Sequence, residues 1–447
     1  MNVCFRLRLW SLLLVCPTLL AVEDGPILDR IYANEPSIPS REEVISPRAE
    51  GDRALHLVIQ AAMDRLSGAG GGTVRLEKGA YHLNGPIRMK SGVRLHLPEG
   101  ARLEFSGNPA DFLPAVLTRW EGTLAFNYSP MIYAFQARDI ELTGKGIISG
   151  NGGKAFAAWR DKQDPAQDRL RKQGNEGVPL FARVYGEGDY LRPPLVQFIN
   201  CRRVRIEGPT FTDSPFWIVH LVFSEYVVVR DIRVDSRRLN NDGVNPDSSA
   251  HVLIEDSHFN TGDDAVAIKS GRDREGRNLA MRSENIVIRN NTFERVHNGV
   301  AIGSELSGGV RNIVIENCRF GSGGNLIYFK SNLDRGGEIA GVVVRDITVG
   351  HAKDSLIRFQ TNYHSWRGGN HPTTFRDILV EDIHCGKVDG VGIWTNGLES
   401  RPLRNVVLKN ITIEEAVTPV RMSGHDDVRF ESVVINDREV GRQKNGD

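Results

Sequence analysis

"NIVIRNNTF" (Asn285–Phe293) and "NIVIENCRF" (Asn312–Phe320) repeat one pattern: apolar residues alternate along a short strand, with an asparagine four positions after the first isoleucine. Seven other segments, beginning at Arg203, Tyr226, His251, Gly341, Asp377, Asn405 and Asp427, share it. Their second residues are Val204, Val227, Val252, Ile286, Ile313, Val342, Ile378, Val406 and Val428, and the steps between them run from 22 (Val406 to Val428) to 36 (Val342 to Ile378). That spread is too irregular for a helical array but natural for coils joined by loops of variable length. The spacing predicts one all-β solenoid.

Four residues after those anchors stand Gly208, Asp231, Asp256, Asn290, Asn317, Asp346, Asp382, Asn410 and Ser432. Asn, Asp and Gly tolerate left-handed turns, and stacked side chains can hydrogen-bond along a column, so this column is read as structural. A second strand follows each turn: "DGVNPDS", "DAVAIKS", "NGVAIGS", "NLIYFKS", "SLIRFQT" and "DGVGIWT". Aligned, they give a first column of Asp242, Asp264, Asn298, Asn325, Ser355 and Asp389, and a sixth of Asp247, Lys269, Gly303, Lys330, Gln360 and Trp394. Parallel coils lie about 4.8 Å apart, so residues of one column become lateral neighbours.

The 447 residues carry 56 basic and 56 acidic side chains, which argues against a polycationic nucleic-acid binder; attraction for a charged ligand must come from local clusters. At the start, Arg6 and Arg8 precede an apolar run from about Leu9 to Leu20 and the small Ala21, the layout of a secretory signal peptide over 1–21. It is too short for a membrane span, and no later segment is apolar enough to be one. A secreted or periplasmic chain is expected. A lipid anchor at Cys16 is disfavoured because Val15 fits that processing site poorly. Cys201, Cys318 and Cys385 then remain, an odd number that suggests buried single thiols. After a leader at 22–45, residues 46–447 read as the solenoid. A helix around Leu55 to Leu66 would cover its open end, and the polar stretch 151–194 interrupts the coils as a long excursion.

The column alignment sets Asp242 and Asp264 on adjacent coils, with Asp263 beside Asp264. Like charges this close oppose one another's ionisation and push at least one pKa upward. Asp263 and Asp264 could be turn residues after Gly262, or ligands for calcium. They also suit glycoside hydrolysis, in which a protonated carboxyl protonates the leaving oxygen while a carboxylate activates water; if that water sits between them, the two carboxyls stand roughly 6.5–9.5 Å apart and the configuration inverts.

"NNDG" (Asn240–Gly243), "GDDAVAIKSG" (Gly262–Gly271), "HNGVAIGSE" (His297–Glu305) and "YFKSN" (Tyr328–Asn332) resemble, in order, the four signature stretches of glycoside hydrolase family 28, the polygalacturonases and their relatives. The resemblance implies a right-handed parallel β-helix of the pectin-lyase-like kind, with an N-terminal capping helix, and hydrolysis of α-linked galacturonate with inversion. By its positions Asp263 would be the general acid, Asp242 and Asp264 would activate water, His297 would orient the acid, and Lys330 would bind a substrate carboxylate. Asn240 would either bind substrate or shape the turn. Neither cofactor nor metal is implied. The expected partner is a pectic poly- or oligosaccharide, with no nucleic acid, and the chain is expected to be a monomer.

Two departures from the family pattern stand out. His297-Asn298-Gly299 replaces Gly-His-Gly, leaving open whether His297 or Asn298 takes the histidine's place; the spacing to Ser304 favours His297. Tyr328-Phe329-Lys330 replaces Arg-Ile-Lys, so one uronate-binding cation is missing. Arg358, aligned with Tyr328 one coil on, or Arg272, Arg274 and Arg277 in "GRDREGR", would supply it, with Tyr328 and Lys269 also at the substrate site; otherwise a different sugar sits there. Excursions 151–194 and 271–283 could wall off one end of the cleft, which predicts exo-action. A hydrolase specific for rhamnogalacturonan or another pectic structure, a calcium-dependent lyase and a non-catalytic glycan-binding solenoid are the rival readings.

Overall fold

In the computed structural model residues 22–48 and 54–441 are described; the expected signal peptide, with Cys4 and Cys16, lies outside them. All nine anchor residues are register neighbours in one parallel sheet: Val204 pairs with Val227, Val227 with Val252, Val252 with Ile286, Ile286 with Ile313, Ile313 with Val342, Val342 with Ile378, Ile378 with Val406 and Val406 with Val428. Every anchor except Val428 is fully buried, so each coil drops one β-branched or aliphatic side chain into the same interior column. Full burial of such a side chain stabilises by about 1.5–3 kcal/mol, and repetition over the coils builds one continuous core. The fold is therefore a parallel β-helix.

The turn column behaves as its composition requires. Asp231, Asp256, Asn290, Asn317, Asp346, Asp382, Asn410 and Ser432 all have φ between 48° and 57°, and Gly208 has φ 98°. Asn317 Nδ2 donates to Asn290 Oδ1 at 2.8 Å, and Asn410 donates to Asp382. A second left-handed column, immediately before the anchors, includes Arg203, Tyr226 and His251. Its later members Asn285, Asn312, Gly341, Asp377 and Asn405 are of the types that favour such turns, but Arg203 and Tyr226 are not, and the sequence pattern above did not single the column out.

Helix α1 (Gly25–Tyr32) docks Ile27, Leu28 and Ile31 on the outside of the anchor sheet, over Val228, Leu253, Val287 and Val314. The 22–45 leader is thus integrated into the fold, and Glu42–Ile45 pairs in parallel with Gly72–Leu76. The cause is visible in "VVV", "VLI" and "IVI": three consecutive apolar residues in a strand put one on the outer face, where it needs a cover. Helix α2 (Leu55–Gly68) buries Leu55, Ile59, Ala62, Met63 and Leu66 and closes the first coil as expected. At the other end Arg438–Val440 turns back antiparallel on Val428–Ile435.

Both excursions are helical. Helix α3 (Asp164–Glu176) buries Ala166 and Leu170 against Trp120, Phe216 and Trp217, and α4 (Asp273–Leu279) lies beside it. Cys201, Cys318 and Cys385 are free and buried, and burial pushes each thiol up to about 12.

One alignment is corrected. Ser355 pairs with Val391 and Gln360 with Asn396, so the last coil is two residues out of the expected register; Trp394 faces Arg358, and Asp389 is outside the Asp242 column. A shift of two preserves which face each side chain points to, so alternation cannot detect it.

Candidate active site

The turn that carries Asp242 is fixed by Asn241. Its Nδ2 donates to Ser214 O (3.0 Å) and Phe216 O (2.9 Å), while its Oδ1 accepts from Ser236 Oγ (2.7 Å) and Arg238 N (3.0 Å). At the next coil Gly262 passes so close to this turn that a Cβ there would lie 2.0 Å from Arg238 O. Only glycine lets the two turns stack, and stacking brings Asp263 and Asp264 beside Asp242.

Asp264 is buried and held from two sides: Lys330 Nζ donates to Oδ2 at 2.8 Å and Asn298 Nδ2 to Oδ1 at 2.5 Å. Asn325 in turn donates to Asn298 Oδ1 at 2.6 Å, extending the expected column. Asn298 is thus a buried ladder residue, and the exposed His297, whose backbone N–H donates to the Asp263 backbone carbonyl at 3.0 Å, lines the cleft. Burial disfavours the Asp264 charge, but Lys330, His297 and Lys269 outweigh it and hold the carboxyl below its ordinary range.

Asp242 and Asp263 behave oppositely. Burial, then the Asp263 charge, push Asp242 well up; burial, then the Asp264 charge, push Asp263 up. The three titrate together: a proton on Asp263 removes its push on Asp242, whose Oδ2 lies 3.7 Å from Lys269 Nζ. Of the trio Asp263 alone is partly exposed. Asn240 Nδ2 reaches its Oδ2 at 3.5 Å, and Asn240 is itself held by Arg192 Nη2 at 2.6 Å.

The cations divide into three groups. Lys330 lines the cleft but is paired with Asp264; its remaining two donors are what a substrate could use. Lys269 lies 3.2 Å from Glu305 and over the Trp217 ring, 4.5 Å from its centroid, and Arg272 is paired with Glu305 and Glu121. Both line the cleft with their charge already balanced. Arg274 and Arg277 are elsewhere: Arg274 donates to Asn175 O and Glu176 O, and Arg277 to Asp334 O and Arg335 O. Their expected place at the substrate site is corrected; each serves loop-to-loop contacts, because α4 turns them away.

Arg358 does reach the cleft. It pairs in register with Tyr328, its guanidinium stacks 4.9 Å from the Tyr328 ring and 4.2 Å from the Trp394 ring, and its Nε is buried without a hydrogen-bond partner. Sequence reasoning missed Glu305, Glu121, Arg171 and Trp217, which also line the cleft. Glu305 had a signal, as the last residue of "HNGVAIGSE"; Glu121 and Arg171 arrive on the hairpin and α3, and nothing local marks them. Lys269, Arg272 and Arg335 hold the Glu305 carboxyl well below its usual range despite its burial.

The cleft, about 780 Å³, has unequal ends. One outward-facing column runs Gln197, His220, Asn245, Ala267, Ala301, Tyr328, Arg358, Trp394, Arg421. Gln197, His220 and Asn245 are fully buried beneath the hairpin Val116–Asn127, where Gln197 Nε2 donates to Arg119 O (2.9 Å) and Arg119 Nη1 meets Asp247 Oδ1 (3.0 Å). Trp394 is half-buried and Arg421 exposed. Helix α3 adds to the wall through Arg171, 2.5 Å from Glu121, and is tied across the cleft by Asp168 to Arg367 at 2.7 Å.

The family model described as "Glycosyl hydrolases family 28" matches residues 116–429. A "Probable polygalacturonase" from Vitis vinifera is 28% identical, covering 80% of this chain and 70% of its own length. An "Endo-polygalacturonase" from Pectobacterium carotovorum subsp. carotovorum is 27% identical over 86% of this chain and 90% of its own. The solved structure of an exopolygalacturonase from Thermotoga maritima superposes with a TM-score of 0.86 at 32% identity, covering 93% of this chain and 96% of that one. The solenoid is thus the right-handed, pectin-lyase-like β-helix that the resemblance implied.

Proposed function

The chain belongs to glycosyl hydrolases family 28, and on that premise we propose that it hydrolyses α-linked galacturonate in pectic glycans with inversion, working from a chain end. One observation carries the chemical half of the reading: three adjacent carboxyls are pushed apart by their surroundings, Asp264 down and Asp242 and Asp263 up. That is the division of labour an acid–base pair needs.

Asp263, partly exposed and with a raised carboxyl, gives its proton to the leaving oxygen. Asp264, kept ionised by Lys330, and Asp242, free to ionise beside Lys269 once Asp263 carries the proton, activate the water. His297 at the cleft wall orients Asp263, and Asn240 anchors its carboxyl. Lys330 and Arg358 are the cations for a uronate carboxylate, with Arg358 standing in for the family arginine that Tyr328 replaces. The burial gradient along the column supports attack at a chain end, since the Gln197 end is covered by the hairpin Val116–Asn127 while the Trp394 and Arg421 end is open.

Chromatographic profiling on oligogalacturonates and other pectic oligosaccharides tests this. The expected result is one short product from the first minutes, viscosity falling slowly, and loss of about 10²–10⁴-fold in kcat for Asp263→Asn. An unsaturated, ultraviolet-absorbing product would mean a lyase. Early collapse of viscosity would overturn chain-end attack, and an unchanged Asp263→Asn the acid assignment.

A further inference from the structure

Running out of the cleft, the open end of the outer column is a ladder of alternating rings and guanidiniums. Tyr328, Arg358, Trp394 and Arg421 sit on four successive coils, with Arg358 stacked between the two rings and Arg421 5.3 Å from the Trp394 centroid. Among the described residues neither guanidinium is ion-paired, although the surface is rich in Arg–carboxylate bridges. The parallel column one step along each strand pair is Lys330, Gln360, Asn396 and Ser423, in which Gln360 Nε2 and Asn396 Nδ2 both donate to Asn362 Oδ1 at 3.0 Å. No carboxylate stands in either column over these four coils. On the other side of Tyr328 the same face holds Asp242, Asp264 and Glu305.

We propose that Trp394 and Arg421, continuing the line from Arg358, form a binding track for the uronates of the polymer that remain outside the catalytic cleft. The inference rests on the pectic-substrate reading above and extends it to chain length. Three coil steps cover about 14 Å, long enough for the track to reach sugars beyond those at the reacting bond. The ladder matches such a chain in two respects. Indole and guanidinium faces stack on flat sugar faces, and each stacked guanidinium keeps its in-plane N–H fork free for a carboxylate. Stacking on Trp394 from both sides also holds Arg358 and Arg421 in place before the ligand arrives, which lowers the ordering cost of binding.

The test compares oligogalacturonates of two lengths, dimer and hexamer, with wild type, Arg421→Ala, Trp394→Ala and the milder Trp394→Phe. The expected result is a drop of about fivefold to tenfold in the hexamer-to-dimer ratio of kcat/KM for Arg421→Ala and Trp394→Ala, with Trp394→Phe between them and wild type. The Arg421 effect should disappear on methyl-esterified hexamer, which has no carboxylates to hold. A ratio unchanged in both Ala variants overturns the track. If wild type cleaves no galacturonate, the substrate reading fails by itself. The hexamer Kd measured by calorimetry on Asp263→Asn, with and without Arg421→Ala, still decides the track: a Kd indifferent to Arg421 refutes it.

Discussion

Replacing Lys330 by Met separates two jobs that one ammonium could do. Its Nζ lies 2.8 Å from Asp264 Oδ2, and at an effective dielectric of about 20 that contact is worth about 6 kcal/mol of Coulomb energy. Desolvation of both groups offsets part of this, and the Asn298 hydrogen bond to Asp264 survives the substitution, so about 3 kcal/mol is a reasonable net loss for the ionised form. At 1.36 kcal/mol per tenfold, Asp264 would lose about 150-fold in its ionised-to-protonated ratio. The assay is kcat and kcat/KM for a galacturonate oligomer against pH. Lys330→Met should move the acidic limb of both to higher pH and lower kcat, because Asp264 then protonates where it formerly stayed charged. Stability should follow the same sign. A depressed carboxyl stabilises the fold above the unfolded carboxylate pKa, and that contribution is lost as pH falls through its folded value. The Tm deficit of Lys330→Met should therefore be largest near neutrality and shrink in acid. A higher KM with kcat and the acidic limb unmoved would refute the argument and leave Lys330 as a substrate ligand only.

Asp242 should show the opposite linkage. Its raised carboxyl favours the fold at low pH and loses that advantage as pH rises through the folded value, so Asp242→Asn is expected to be about 1–2 kcal/mol more stable than wild type at neutral pH by thermal melting, while kcat falls at least about 100-fold. In helix α2, Ile59 is fully buried against the first coil; Ile59→Ala should cost about 2–5 kcal/mol in denaturant titrations with kcat/KM intact, and a loss under about 1 kcal/mol would mean the helix does not close the core.

The parts of this protein legible beforehand are those that repeat. The anchors Val204 to Val428 and the Asn/Asp turns are set by alternation and by φ, both local properties, and every one landed in the expected register. Asp242, Asp263 and Asp264 were found because that register is regular where they lie. It failed at Asp389, because aligning that strand two residues out of register leaves the inside–outside pattern unchanged. Helix α1 escaped notice although its docking stripe, Val228, Leu253, Val287 and Val314, was in view: three apolar residues in a row were read as one strand, not as a strand with two buried faces.

The sequence by itself determined the coil, its turn chemistry and the three carboxyls, because each follows from residues one coil apart held at strand spacing. Tertiary structure alone decided what those carboxyls feel. Glu305 and Glu121 come from separate segments of the chain, and between them they pair with Lys269, Arg272 and Arg171, the last of which is brought in by α3. Arg274 and Arg277, equally plausible in the text of the loop, point away, while Arg358 is left unpaired against Tyr328 and Trp394. Charge acts through space and burial, and neither is written in the spacing of residues along the chain.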